Sequence, residues 1–306
     1  MPYFNYLKST RRRQLILEFV ERYKHLKEIR LVIGEATILG QHFDLPQHIQ
    51  GTFAHYKFTL KHHIWCKENL VNVITQTKLP SDWKYVAWID ADITFLNKNW
   101  ALDAIDELKS ENSHFIQLFD TMYFMDSSHT KGLMKFSSFG YKHQHNPYEW
   151  YMHLFGWHTG FAWACTRKAL EKMEGLFDLG IIGSGDTYMA LGMINKVDAY
   201  FARDFTKKYY QNISKEFYFQ MKEFELKWNE NKFKLSYVKG AIEHHWHGHH
   251  SNRKYDERKE ILSKHRYDPT KDLMLDSEGL MSLSEIGERM QEDLKKYFVE
   301  RNENEI

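Results

Sequence analysis

Two aspartates two positions apart, Asp90 and Asp92, close a run of apolar and β-favouring residues, Lys84-Tyr85-Val86-Ala87-Trp88-Ile89. Carboxylates at the tip of a buried strand are hard oxygen donors. Alternation along a strand sets both on one face, where a divalent cation between them relieves their repulsion. Alone the pattern is weak, because aspartates after a strand are commonly turn formers or helix caps. A second cluster strengthens it: His244, His245, His247, His249 and His250 put five histidines into seven residues. Three spacings there suit metal ligands, His244 with His247, His245 with His247, and His247 with His250. Any one of these histidines taken singly reads more simply as part of a solvated loop. One or two neutral imidazoles beside Asp90 and Asp92 make a donor set suited to Mn²⁺ (or Mg²⁺) rather than to a carboxylate-only Ca²⁺ cage. Arg253, Lys254 and Arg258 follow immediately. Together these groups describe a pocket for a metal-bound diphosphate, in which cations neutralise charge developing on a leaving phosphate. That chemistry is sugar transfer from a nucleotide donor.

The elements that must position these groups alternate in the α/β manner. Helix is expected over Leu15–Tyr23, with Ser9 and Thr10 as caps ahead of Arg11-Arg12-Arg13, and over Trp65–Gln76, Trp100–Ser110, Arg167–Glu174, Thr187–Asn195 and Leu283–Arg301. Strands are expected over Ile29–Gly34, Tyr85–Asp90, His114–Phe119 and Phe161–Cys165, and loop over Ser127–Glu149. The 306 residues, 42% hydrophobic and 27% charged, suffice for a full core with no visible linker or repeat. One catalytic domain, 1–258, with a helical tail, 259–306, packed on it is the simplest division. Net charge of +1 names no partner, and aromatics at 16% suit both ligand stacking and dense packing. Cys66 and Cys165 form no disulfide or thiolate-metal pattern, so a reducing cytoplasm is expected. Met1-Pro2-Tyr3-Phe4-Asn5 lacks a signal-peptide pattern, and no apolar run has membrane-spanning length.

Other residues carry paired readings. Asp186 is a candidate general base and equally a good N-cap for the helix that Gly183-Ser184-Gly185 opens. Lys67 and Asn69 either meet the donor nucleotide or lie on an exposed helix face. Glu35, at a strand end, either hydrogen-bonds the base or ribose or is a surface carboxylate. For Trp157, His158 and Trp163, stacking on acceptor or sugar competes with core packing; Trp163 is expected in the core, and His158 is the better candidate for a site.

Trp88-Ile89-Asp90-Ala91-Asp92, Trp157-His158-Thr159-Gly160-Phe161-Ala162-Trp163, Gly183-Ser184-Gly185-Asp186 and the late histidine cluster occur in the order found in glycosyltransferases of the GT-A fold, which the chain resembles. More closely, Trp65-Cys66-Lys67-Glu68-Asn69-Leu70, Phe136-Ser137-Ser138-Phe139-Gly140 and Arg253 through Arg258 look like a group of GT-A-like enzymes of bacteriophages and large DNA viruses. The resemblance runs from about Tyr3 to Asp272. It implies a Rossmann-like nucleotide-sugar-binding fold, with Asp92, His247 and His244 as metal ligands and Asp90 nearer the ribose. The His244/His247 spacing is similar to the Met/His pair of β-1,4-galactosyltransferases. Their paired acidic residues at the base position are lacking, and Asp186 stands alone. The phage likeness further implies a hydroxymethylated pyrimidine in duplex DNA as acceptor, with Arg11, Arg12 and Arg13 as candidate phosphate contacts. Its rivals are a glycan, lipid or protein acceptor. From other classes, a metal-dependent hydrolase could use His245 to His250, and a nucleic-acid-binding module would leave Asp90, Asp92 and Asp186 without a purpose.

Overall fold

Apolar side chains alternate along the strands and sort into two buried layers. Trp88, Trp163 and Cys165 face one layer, while Ile89, Ala162 and Ala164 face the other. The computed structural model describes residues 1–110, 113–130, 132–146 and 157–304. The strands begin with β1 (Pro2–Phe4), β2 (Val32–Ile38), β3 (Ala54–Leu60), β4 (Tyr85–Ile89) and β5 (Ile93–Phe95). They continue with β6 (Phe115–Gln117), β7 (Thr121–Met125), β8 (Gly132–Ser138), β9 (Trp157–His158) and β10 (Ala162–Thr166). The last are β11 (Leu235–Tyr237), β12 (Ala241–His244), β13 (Leu273–Leu275) and β14 (Met281–Leu283). Helices α1 (Thr10–Tyr23), α2 (Lys67–Thr77), α3 (Trp100–Lys109), α4 (Phe139–His145), α5 (Arg167–Lys172) and α6 (Gly185–Met193) precede a helical stretch, α7 (Val197–Ala202), α8 (Asp204–Tyr210) and α9 (Lys215–Glu230). Three more follow: α10 (Lys259–Lys264), α11 (Pro269–Asp272) and α12 (Gln291–Glu300).

The chain is mixed α/β. β1, β2 and β3 form a parallel sheet in that order, and β11-β6-β10-β4 form a second, in which β10 runs antiparallel to both neighbours. The cleft described below is lined by residues of β1 and by the turn that leaves β4, so the two sheets meet there. α1 and α3 cover one apolar layer; α2, α5, α6 and α9 cover the other. A further sheet, β5-β12-β7-β8-β9, joins segments far apart in sequence.

The Ser9 side chain accepts from the Arg12 N–H and starts α1 at Thr10, ahead of the apolar stripe Leu15, Ile16, Phe19, Val20 and Tyr23. Three expectations are corrected. β2 begins and ends later than expected because it continues through buried Glu35 and Thr37. The stretch expected as loop holds β8 and α4, with positions 131 and 147–149 lying outside the described residues. The segment from 259 is more than a helical tail: β13 and β14 form a hairpin, the expected helix over Leu283–Arg301 starts only at Gln291, and Leu283, Leu294 and Phe298 share the apolar layer of α2. Among the described residues, no helix is long and apolar enough to cross a membrane.

Candidate active site

Strand β4 stops at Ile89, so Asp90 and Asp92 sit in the turn before β5, and the expected strand alternation does not set them on one face. Each turns to a different partner. Asp90 Oδ1 lies 2.6 Å from Lys67 Nζ. Asp92 turns toward β12, because antiparallel pairing sets Ile93 opposite His244 and the His245 N–H donates to the Asp92 carbonyl at 2.8 Å. Asp92 Oδ2 is thereby 2.9 Å from His247 Nε2 and 3.6 Å from His244 Nε2. One ligand atom from each of the three lies within 4.8 Å of the others, near the spread around a small divalent ion whose bonds are about 2.1 Å.

The donor chemistry fits a cation. Burial pushes His244 down to about 4 against the pull of Asp92, and burial lowers His247 as well, so both imidazoles are neutral near pH 7. Burial disfavours charge on Asp92, yet the contacts with His244 and His247 outweigh it and hold the carboxyl well below its usual range. Among the described residues, Asp92 Oδ1 and His247 Nδ1 are buried without a hydrogen-bond partner. Glu303 Oε1 lies 3.9 Å from that Nδ1, on the side of the ring away from Asp92. The other histidines go elsewhere. His245 Nε2 bonds Thr94 Oγ1 at 2.6 Å, His249 is exposed against Trp246, and His250 packs on Phe124 and Tyr255. The ligand run that a hydrolase would need is therefore not assembled.

Beside this set opens a cleft of about 130 Å³. Lys67, Arg253 and Arg258 line it as expected. Burial alone would lower the Lys67 ammonium, but the charges of Asp90 and Asp186 outweigh burial and hold it above the ordinary lysine range. Arg253 Nη2 is 2.6 Å from His247 Nε2. Arg258 donates to Ser184 Oγ at 2.6 Å and to the Tyr297 hydroxyl at 2.9 Å. Lys254 does not line the cleft; its ammonium pairs with Glu300 at 2.8 Å.

Two cleft arginines, Arg12 and Arg301, were not expected, and both are clamped by Glu303 at 2.9 Å and 2.6 Å. The arginine run had been assigned to DNA phosphates. Instead Arg12 is in this clamp, Arg11 donates to the Trp246 carbonyl at 3.0 Å, and Arg13 donates to the Asp44 carbonyl at 3.0 Å. No motif marks Arg301 or Glu303; only their charges in the tail hint at them.

Asp186 lines the same cleft. It is not the helix cap: Ser184 holds that position at φ +71°, a left-handed conformation next to Gly183 at φ +90°, and the Arg258 bond secures it. Asp186 lies in the first turn of α6, its Oδ1 accepting the Thr187 N–H at 2.8 Å. Its Oδ2 rests over Gly160, 2.7 Å from where a Cβ would stand. His158 is beside it. The Gly160 N–H donates to His158 Nδ1 at 2.9 Å, and burial pushes this histidine down to about 3, so the neutral ring carries its hydrogen on Nε2.

Besides Lys254, three expected site residues do not reach the cleft. Glu35 is 1% exposed, and its carboxylate is consumed by the N–H groups of Asp44 (2.5 Å) and Leu45 (3.0 Å) and by His55 Nε2 (2.9 Å). Asn69 is on a buried face of α2, donating to Asp178 and the Gly279 carbonyl and accepting from the Met281 N–H. Trp157 packs on Phe139 at the edge of the core, a packing role rather than a stacking platform. Trp163 is 1% exposed in the core, as expected. No protein-family model, curated protein or solved structure matches the chain.

Proposed function

We propose that the chain is a metal-dependent, inverting glycosyltransferase of GT-A type that moves a sugar from a nucleoside diphosphate donor to an acceptor hydroxyl. One observation carries the reading: a single cleft is lined by Asp92 and His247, two members of a donor set that buried His244 completes, by a bank of cations and by the carboxylate of Asp186. The strand order supports it too. The cleft is lined by residues of β1, at the edge of one sheet, and by the turn that leaves β4, at the edge of the other; nucleotides bind in such crevices, outside the carboxyl ends of strands.

Asp92, His244 and His247 would hold the cation, Mn²⁺ or Mg²⁺, which supplies charge neutralisation at the leaving diphosphate. Lys67, Arg253 and Arg258, with Arg12 and Arg301, provide fixed positive charge for the same phosphates. Asp90 holds Lys67 in place and is assigned to the donor's ribose. Asp186 takes the proton of the acceptor hydroxyl as that oxygen attacks the anomeric carbon from the face opposite the leaving group, which inverts the centre. The Nε2–H of His158 is a neutral donor for a sugar or acceptor oxygen on the same side. For the acceptor we retain the hydroxymethylated pyrimidine of DNA, without the arginine run as its phosphate contacts.

The test is release of nucleoside diphosphate from a panel of nucleotide sugars with Mn²⁺, using hydroxymethylated DNA, unmodified DNA and a saccharide as acceptors. Turnover of one donor, abolished by chelator and lowered on the order of 10² or more by Asp186→Asn, is the expected result. Transfer to the saccharide alone would replace the acceptor and keep the enzyme class. A protein that binds Mn²⁺ yet leaves every donor intact refutes the class.

A further inference from the structure

Glu68 has no part in the mechanism so far. It is in the first turn of α2, next to Lys67, and lines the cleft although it is only 3% exposed. Among the described residues its carboxyl makes no hydrogen bond or ion pair with another side chain. A buried acid without such a partner is costly unless it stays neutral or meets a ligand. The fold makes room for it deliberately. A Cβ built on Gly185 would stand 2.5 Å from Glu68 Cδ and 2.7 Å from Oε1, so a larger residue there would displace this carboxyl from its seat against the start of α6. The next residue is Asp186.

Gly185 and Gly160 therefore vacate adjoining spaces, one filled by Glu68 and the other by Asp186. A second acid thus reaches the turn that carries Asp186 from α2, a different helix, which no local motif around Asp186 reveals. The charged and titratable groups that act on Glu68 are Lys67 and the Cys66 thiol from its own turn, Asp186 from α6, and Asp90 from the turn after β4.

We propose that Glu68 is a positioning residue for Asp186: it stays neutral, so that this side of the cleft holds one negative charge rather than two. The inference rests on the transferase reading. In the step, the acceptor O–H bond breaks and its proton goes to Asp186. The acceptor oxygen bonds the anomeric carbon, and the bond to the phosphate oxygen breaks with its electron pair leaving on the diphosphate. Glu68 neither gains nor loses a proton. Were it ionised, its charge would face both the incipient alkoxide and the donor's phosphates, and would draw the proton of the next acceptor less selectively to Asp186. The electrostatics agree with the geometry. Burial raises the Glu68 carboxyl most, Lys67 opposes, Asp186 and Asp90 add to the rise, and it titrates at about 8.

The experiment is the pH profile of kcat/KM for wild type, Glu68→Gln and Glu68→Ala, together with carboxyl ¹³C titration of wild type and Glu68→Gln without substrate. Wild type is expected to fall about tenfold per pH unit above about 8. Glu68→Gln, a permanent neutral form, keeps activity at pH 7 and loses that alkaline limb, whereas Glu68→Ala loses activity throughout. In the titration, one carboxyl near 8 is present in wild type and absent from Glu68→Gln. An active wild type whose limb survives in Glu68→Gln, or whose Glu68 titrates in the ordinary carboxyl range, overturns the inference alone. A wild type that consumes no donor at any pH overturns the transferase reading, and this role with it.

Discussion

Replacing Gly160 by alanine moves the candidate base without altering any polar group. The added Cβ would stand 2.7 Å from Asp186 Oδ2 and 2.9 Å from His158 Cε1, where ordinary contact begins at 3.4 Å. Gly160 is not among the glycines with positive φ, so alanine brings no backbone strain of that kind. The carboxylate must therefore retreat by about 0.7 Å, the difference between contact and overlap. Its other oxygen is tied to the Thr187 N–H, so the retreat is a rotation away from the cleft centre rather than a translation of the helix. Misplacing a reacting group by about 1 Å costs about 10² in rate, so kcat should fall on the order of tenfold or more, about 1.4 kcal/mol in the barrier. Donor KM and Mn²⁺ affinity should hold within about twofold, since Asp92 and His247 are not among the three nearest neighbours of that Cβ. Steady-state kinetics with a titrated donor, beside thermal unfolding as a check on folding, measure both. An unchanged kcat in a folded variant would refute Asp186 as base in this geometry. A proportional rise in donor KM would mean that the overlap is relieved toward the donor pocket instead.

Asp92→Ala should lower Mn²⁺ affinity by more than about 100-fold, read by titration calorimetry, because it removes the one carboxylate of the set. Asn69→Ala should cost about 2 kcal/mol in denaturant unfolding, since it strands the Met281 N–H and strips one donor from Asp178, yet leave kcat of the folded protein unchanged. Glu303→Gln should cost about 3 kcal/mol at pH 7, as Arg12 and Arg301 lose their shared counter-ion. The sign with pH follows from the carboxyl's direction. Burial opposes charge on Glu303, but Arg12 and Arg301 outweigh it and depress its folded value, so its contribution is fully present above the unfolded value of about 4.5. It is lost as pH falls toward the folded value, and wild type and variant should therefore converge in stability on acidification.

What was legible in the sequence came from residues whose chemistry and periodicity agree. The apolar run Tyr85–Ile89, the stripe of α1 and the His244/His247 spacing all depend on near neighbours in the chain. What was not legible depends on distant ones. β8 is exposed along most of its length, so it carries no inside-outside alternation to mark it as a strand. Glu35 read as a strand end because a carboxylate inside a strand is unusual, and the N–H groups that satisfy it come from residues 44 and 45. Asn69 read as a donor contact or part of an exposed helix face because the hairpin that covers it is some 200 positions later. Arg301 and Glu303 have no motif at all; their place in the cleft follows from how α12 docks on the apolar layer of α2.

The pairing of β5 with β12 ties residue 92 to residue 244 across 152 positions (244 minus 92). In the unfolded chain these ligands are strangers, so a cation held by them would bind the native form almost alone. It would act as a staple. At a hundredfold excess over its dissociation constant such an ion adds about 2.7 kcal/mol to stability. Melting curves with and without Mn²⁺ would then read the integrity of this tertiary junction directly, before any donor or acceptor is known. The same staple would hold together the halves of a chain nicked in the stretch between the two strands.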